Sequence, residues 1–179
     1  RHGRGEDDIK ILPGILPVIG RTRAEATALF NELQDLLPED AGVRGLQRLA
    51  GDVDLSLYPL DVPLPPLGVT NSALGRQKLL VDLAASGNLT LREAARYFAT
   101  AGGHYVVVGT AEDVADTMEE WFLSGGADGF NVMFPYFPEP LDTFVRDVVP
   151  ILQDRGLFRT DYEYATLREN LGLRTFDAG

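Results

Sequence analysis

Side chains that titrate near neutrality are scarce in this sequence, which has two histidines and no cysteine in 179 residues. His104 stands in the more structured context, because Gly102 and Gly103 precede it and the apolar run YVVV over 105–108 follows. An imidazole titrates near neutrality, so His104 is the candidate for holding or handing over a proton. The same position also suits a histidine that caps a strand or faces water. His2, near the chain start, carries no expected role. Without a thiolate, cysteine nucleophiles and sulfur-ligated zinc are excluded. Asp52 and Asp54 would share one face of a strand at 52–57, but with no histidine beside them a metal is not expected there.

Two further groups sit where strands end. Gly109 and Thr110 close the 105–108 run and open a helix, where backbone donors and the helix dipole can take a phosphate. Thr110 with Asp113 three residues on also reads as a plain N-cap in a variant capping box. Asn131, Phe134 and Tyr136 lie at or just past a second apolar run over 130–133 and offer a polar group and an aromatic wall for a pocket, or simple packing.

The elements that must position these residues follow from periodicity. Residues 104–134 spell a full strand, helix and strand, with Val114, Met118, Trp121 and Phe122 recurring at helical spacing and Glu112, Asp116, Glu119 and Glu120 on the other face. Two parallel neighbours joined by that helix are expected. Upstream, a strand is expected over 9–12 and on through 15–19, then a helix from Thr22 with Glu25 in a capping box, a short helix over 42–50 and a returning strand over 52–57. Four prolines mark 58–73 as an irregular excursion, and helices are expected over 76–85, with Leu79, Leu80 and Leu83 buried, and from Thr90 to about 101. The stretch 58–103 therefore reads as an insertion of the kind that covers active sites. A last helix begins near Leu141 and should be kinked by Pro150.

Alternating strands and helices imply an α/β fold with parallel strands in one domain. A net charge of −11, from 16 basic and 27 acidic side chains, excludes the basic surface that nucleic acids and anionic membranes require. No stretch reaches the roughly 18 to 20 apolar residues of a membrane span, and the start RHGRGEDDIK has no apolar signal core, so a cytoplasmic address is expected.

The runs IKILPGILPVIGRTRAEA, GHYVVVGTAEDVADTMEEWF, GGADGFNVMFPY and VVPILQDRGLFRTDYEYATLRENLGL resemble the C-terminal part of the bacterial-luciferase-like, two-component flavin monooxygenases, within them the nitrilotriacetate and dibenzothiophene-sulfone branch. The resemblance covers essentially the whole chain. It implies the C-terminal half of a (β/α)8 barrel, a closed fold of typically ~250 residues, whose strands six, seven and eight would begin at Ile9, Asp52 and Phe130. It further implies an enzyme that takes reduced FMN from a separate flavin reductase and uses O2 to oxygenate a small organic substrate, the cofactor supplying the hard chemistry. On this reading His104 lies beside the flavin, Gly109 and Thr110 contact it, Asn131, Phe134 and Tyr136 line the substrate pocket, and 58–103 is the lid. A half-barrel exposes a sheet edge, so a homo-oligomer is expected. The alternative is a noncatalytic remnant or interaction module that keeps the fold without flavin. A deazaflavin-linked oxidoreductase of the same barrel type fits the closing tail less well.

Overall fold

The computed structural model describes residues 5, 8–51, 53–69, 71 and 74–173. In chain order the elements are β1 (Gly14–Ile19), α1 (Arg23–Asp35), α2 (Glu39–Gln47), a 3-10 turn (Leu55–Leu57), α3 (Leu74–Gly87), α4 (Leu91–Ala101), β2 (Tyr105–Gly109), α5 (Ala111–Leu123), β3 (Asn131–Val132), α6 (Glu139–Thr143), a π turn (Phe144–Val148), α7 (Val149–Asp154) and α8 (Leu167–Asn170). They fall into two compact units, Arg1–Thr27 with Val106–Gly179, and Ala28–Tyr105. The fold is α/β, as the periodicity implies.

In the first unit β1 is the middle strand of a sheet ordered β2-β1-β3. Ile15, Leu16, Pro17 and Val18 are all buried, the signature of a strand covered on both faces. The strand starts at Gly14 rather than Ile9. Pro13 has no N–H for a ladder, and Ile11 instead exchanges bonds with Asp128, donating to its Oδ2 at 2.8 Å and accepting from its N–H at 2.9 Å.

The expectation that the 105–108 and 130–133 strands adjoin is corrected, because β1 lies between them. β3 is short and pairs parallel with β1, Gly14 opposite Asn131 and Ile15 opposite Val132. Its backbone donates from Asn131 to the Pro13 carbonyl at 2.9 Å and from Met133 to the Ile15 carbonyl at 2.8 Å. The Asn131 side chain adds a bond to the Leu12 carbonyl at 2.9 Å. A barrel wall runs its strands consecutively, and the three strands here are ordered β2-β1-β3 instead.

On the sheet pack Val114, Ala115 and Met118 of α5 with Phe144, Val148 and Leu152 from the last helical stretch, around Ile15 and Val107. Phe122, expected in the α5 stripe, is exposed. Trp121 packs against Phe130 at 6.2 Å between ring centres. The disturbance expected at Pro150 takes the form of the π turn just before it. Pro150 offers no N–H to the carbonyl four residues back, and the Val149 N–H reaches Phe144, five residues back.

In the second unit α2 and α4 pack closely because Gly42 presents no Cβ. One added there would lie 2.9 Å from the Ala95 carbonyl oxygen. Leu46, Leu49, Leu55, Leu80, Leu91 and Phe98 form the core. Thr90 and Glu93 make the expected capping box of α4. On α3, Leu80 and Ala84 are the buried pair, whereas Leu79 is exposed.

No strand forms over 53–57, the described residues of the strand expected over 52–57. Asp52 lies outside the described residues, and Asp54 caps the 3-10 turn, accepting from the Ser56 N–H at 3.0 Å and the Ser56 hydroxyl at 2.7 Å. A short polar side chain that bonds its own backbone two residues on favours a turn over a ladder. The proline-rich excursion is tied down by Leu91 donating to Val62 at 2.8 Å, Arg92 to Leu60 at 2.9 Å and Gly68 to Ala50 at 3.0 Å.

Candidate active site

The C-terminal ends of β1 and β2 adjoin, since the Gly20 N–H donates to the Gly109 carbonyl at 3.0 Å. Thr110 caps α5 through a reciprocal box. Its N–H donates to Asp113 Oδ2 at 2.9 Å, and the Asp113 N–H donates back to the Thr110 hydroxyl at 3.3 Å. Arg23, from the first turn of α1, closes on the same carboxylate as a two-pronged fork, Nε donating to Oδ2 at 2.9 Å and Nη2 to Oδ1 at 2.6 Å. The Arg23 hydrogen bond first and the Thr110 amide second hold the Asp113 carboxyl well below the usual carboxylate range. The same bond pushes the Arg23 guanidinium up. Gly109 is required by contact: an added Cβ would lie 2.6 Å from Asp113 Oδ2. The start of α5 thus carries the chain's own carboxylate at the place where a phosphate was expected against Gly109 and Thr110.

Asn131, Phe134 and Tyr136 enter three different surroundings. The Asn131 amide is spent on Leu12. Phe134 meets the edges of Phe137 and Phe144, each at 5.9 Å. The Tyr136 hydroxyl donates to Glu139 at 2.5 Å. A cavity of about 400 Å³ in this unit is lined by Leu12, Met118, Phe122, Phe130 and Leu152, and by none of those three. Leu12 and Phe130 precede β1 and β3, so it opens where the strands begin, away from Gly20 and Gly109.

His104 sits in the turn between α4 and β2, half-buried, its N–H donating to the Ala101 carbonyl at 3.0 Å. Gly102 and Gly103 have φ of 59° and 85°, the left-handed region that favours glycine. A Cβ at Gly103 would also lie 2.9 Å from Cζ of Phe98. Gly102 borders a second cavity, of about 450 Å³, whose lining includes Phe98, Leu49, Arg48 and Arg76. Sequence reasoning missed both arginines, 28 positions apart. Both border this one cavity because the Gln77 side chain donates to the carbonyls of Leu49 and Gly68, each at 2.8 Å, pinning the start of α3 to the end of α2. It missed the Arg23 partner of Asp113 too, although an arginine one residue past Thr22, in the first turn of the helix that follows β1, was a readable signal.

The C-terminal ends of β1 and β2 carry Gly20, Gly109 and the capped start of α5, whereas His104 stands at the opposite, N-terminal end of β2. No family model matches the chain. N-acetyl-S-(2-succino)cysteine monooxygenase of Bacillus subtilis (strain 168) is 47% identical over 96% of this chain and 39% of its own length. Nitrilotriacetate monooxygenase component A of Aminobacter aminovorans is 40% identical over 97% of this chain and 38% of its own. The solved structure of a riboflavin lyase with modified FMN and riboflavin aligns at a TM-score of 0.72 and 30% identity, over 97% of this chain and 37% of that one. Over nearly its whole length the chain is similar to luciferase-like flavin monooxygenases, in the branch of the nitrilotriacetate and dibenzothiophene-sulfone enzymes. It spans about two fifths of the length of the curated relatives it matches. Among the described residues no helix is long and apolar enough to cross a membrane.

Proposed function

We propose that these residues are part of an FMNH2-dependent monooxygenase that receives reduced FMN from a separate reductase. The reaction takes FMNH2, O2 and an organic substrate to FMN, water and the singly oxygenated substrate. The observation that carries this reading is the 47% and 40% identity, over nearly the whole chain, to two monooxygenases, one named as component A. Reduced FMN, when bound, would supply the two electrons and the site of dioxygen activation. The residues of this chain position and proton-supply that chemistry.

His104 is the proton-handling group. Its imidazole makes no hydrogen bond or ion pair among the described residues, so it is available to a ligand. Gly109 and Thr110 serve by keeping the end of β2 flush against β1, with Asp113 and Arg23 locking it. Phe134 and Tyr136 supply an aromatic wall past β3, and Asn131 ties the start of that strand to the Leu12 carbonyl. A second copy of the chain shields the sheet edge. The test is His104→Gln: oxygenation should fall about 100- to 10,000-fold, the range for a lost general acid or base, while FMN affinity stays unchanged. Activity within a factor of three of the parent would remove His104 from the mechanism.

A further inference from the structure

Basic side chains are a scarce resource in this acidic chain, and nearly all are engaged. Of the 13 described arginines and lysines (16 in the sequence less Arg1, Arg4 and Arg174), only Arg48 and Arg76 make no ion pair, hydrogen bond or ring contact. Both are exposed and line the same cavity, of about 450 Å³, and among the described residues no carboxylate lines it. Two guanidinium groups on one lining concentrate positive charge that a bound anion neutralises. Arg76 belongs to the first turn of α3, a 14-residue helix with no acidic residue in that turn, so the helix dipole adds to the positive potential. The remaining lining is apolar, with Phe98, Leu37 and Leu49, and is held rigid by Gln77 and by the glycine turn that ends α4.

We infer that this cavity of the helical unit binds a small organic anion, its phosphate or carboxylate group held by Arg48 and Arg76 and its body laid against Phe98 and Leu49. The volume lies within the ~300–1,000 Å³ of ordinary small-molecule sites. A forked guanidinium matches either oxyanion group. The site rests on the unengaged arginines and not on the monooxygenase reading, so either can fail alone. It also leaves the α5 start to Asp113.

The experiment follows the Nε–Hε resonances of Arg48 and Arg76 in the labelled chain during titration with FMN, riboflavin, succinate and succinamide, in low salt. The expected result is saturable shifts of both resonances with FMN or succinate. Riboflavin and succinamide, which lack the anion, should bind at least ten-fold more weakly. Arg48→Gln and Arg76→Gln should each weaken the anion at least ten-fold, and Arg44→Gln, whose parent pairs with Asp40, should change nothing. Response to FMN alone assigns the phosphate, and response to succinate alone assigns a free carboxylate. If a glutamine variant loses its helical circular dichroism, Arg48→Lys and Arg76→Lys take its place, with intermediate affinity expected. Absence of saturable shifts with either anion, or equal shifts with riboflavin and FMN, overturns the assignment.

Discussion

Replacing Gly109 by alanine is the sharpest test of how β2 and α5 are joined. The new Cβ would lie 2.6 Å from Asp113 Oδ2 and 2.7 Å from Asp113 Cβ, so the carboxylate or the helix start must move. Moving Asp113 forfeits its bond from the Thr110 N–H and the reciprocal cap. Loss of an N-cap costs about 1 kcal/mol, and forcing one extra carbon into a packed site costs about 1 to 3 kcal/mol. Arg23 is largely exposed, so its share is small. Together Gly109→Ala should destabilise the chain by about 2 to 4 kcal/mol. Urea unfolding read by circular dichroism measures this, provided the slope with denaturant is unchanged. A cycle with Asp113→Gly isolates the cause: with the facing side chain gone, the alanine should cost less than half as much. A loss below about 0.5 kcal/mol in the parent background, the range of ordinary surface changes, or full additivity with Asp113→Gly, would refute the contact.

The depressed Asp113 carboxyl sets a pH dependence. A folded-state value below the unfolded one, near 3.9, means its contribution is complete above about pH 4 and is lost as pH falls through the folded value. Asp113→Asn should therefore flatten the acid limb of stability between about pH 4 and pH 2, and an unchanged limb would contradict the assignment. Leu152→Ala, in the core beneath α5, should cost about 2 to 4 kcal/mol by cavity formation; thermal melting gives the value, and a loss under 1 kcal/mol would show that this helix is not seated as described. Sedimentation velocity should show a dimer or larger assembly, whereas a compact, stable monomer at micromolar concentration argues against association through the sheet edge.

Local chemistry was legible in the sequence where one segment decides its own structure. The capping boxes at Thr90 and Thr110 and the helices they start are formed as read, because the residues that bond are three positions apart. The strand order was not legible. It depends on Asp128, Asn131 and Met133 finding Ile11, Leu12, Pro13 and Ile15 across more than a hundred residues. At 52–57 the alternation of DVDLSL points to a strand, but the side chain of Asp54 offers Ser56 a local bond that a strand would forgo. The candidate site was half visible. His104 and the glycines before it announce themselves by type, whereas Arg48 and Arg76 acquire meaning only when Gln77 brings two helix ends together.

The monooxygenase account stands or falls on what the protein does to reduced flavin. Stopped-flow mixing of dioxygen with FMNH2 and excess protein, followed by flavin absorbance, reports it directly. The account predicts reoxidation in at least two phases, with a slow phase whose amplitude saturates with protein and shrinks in His104→Gln. A single phase at the rate of free FMNH2 at every protein concentration would contradict it.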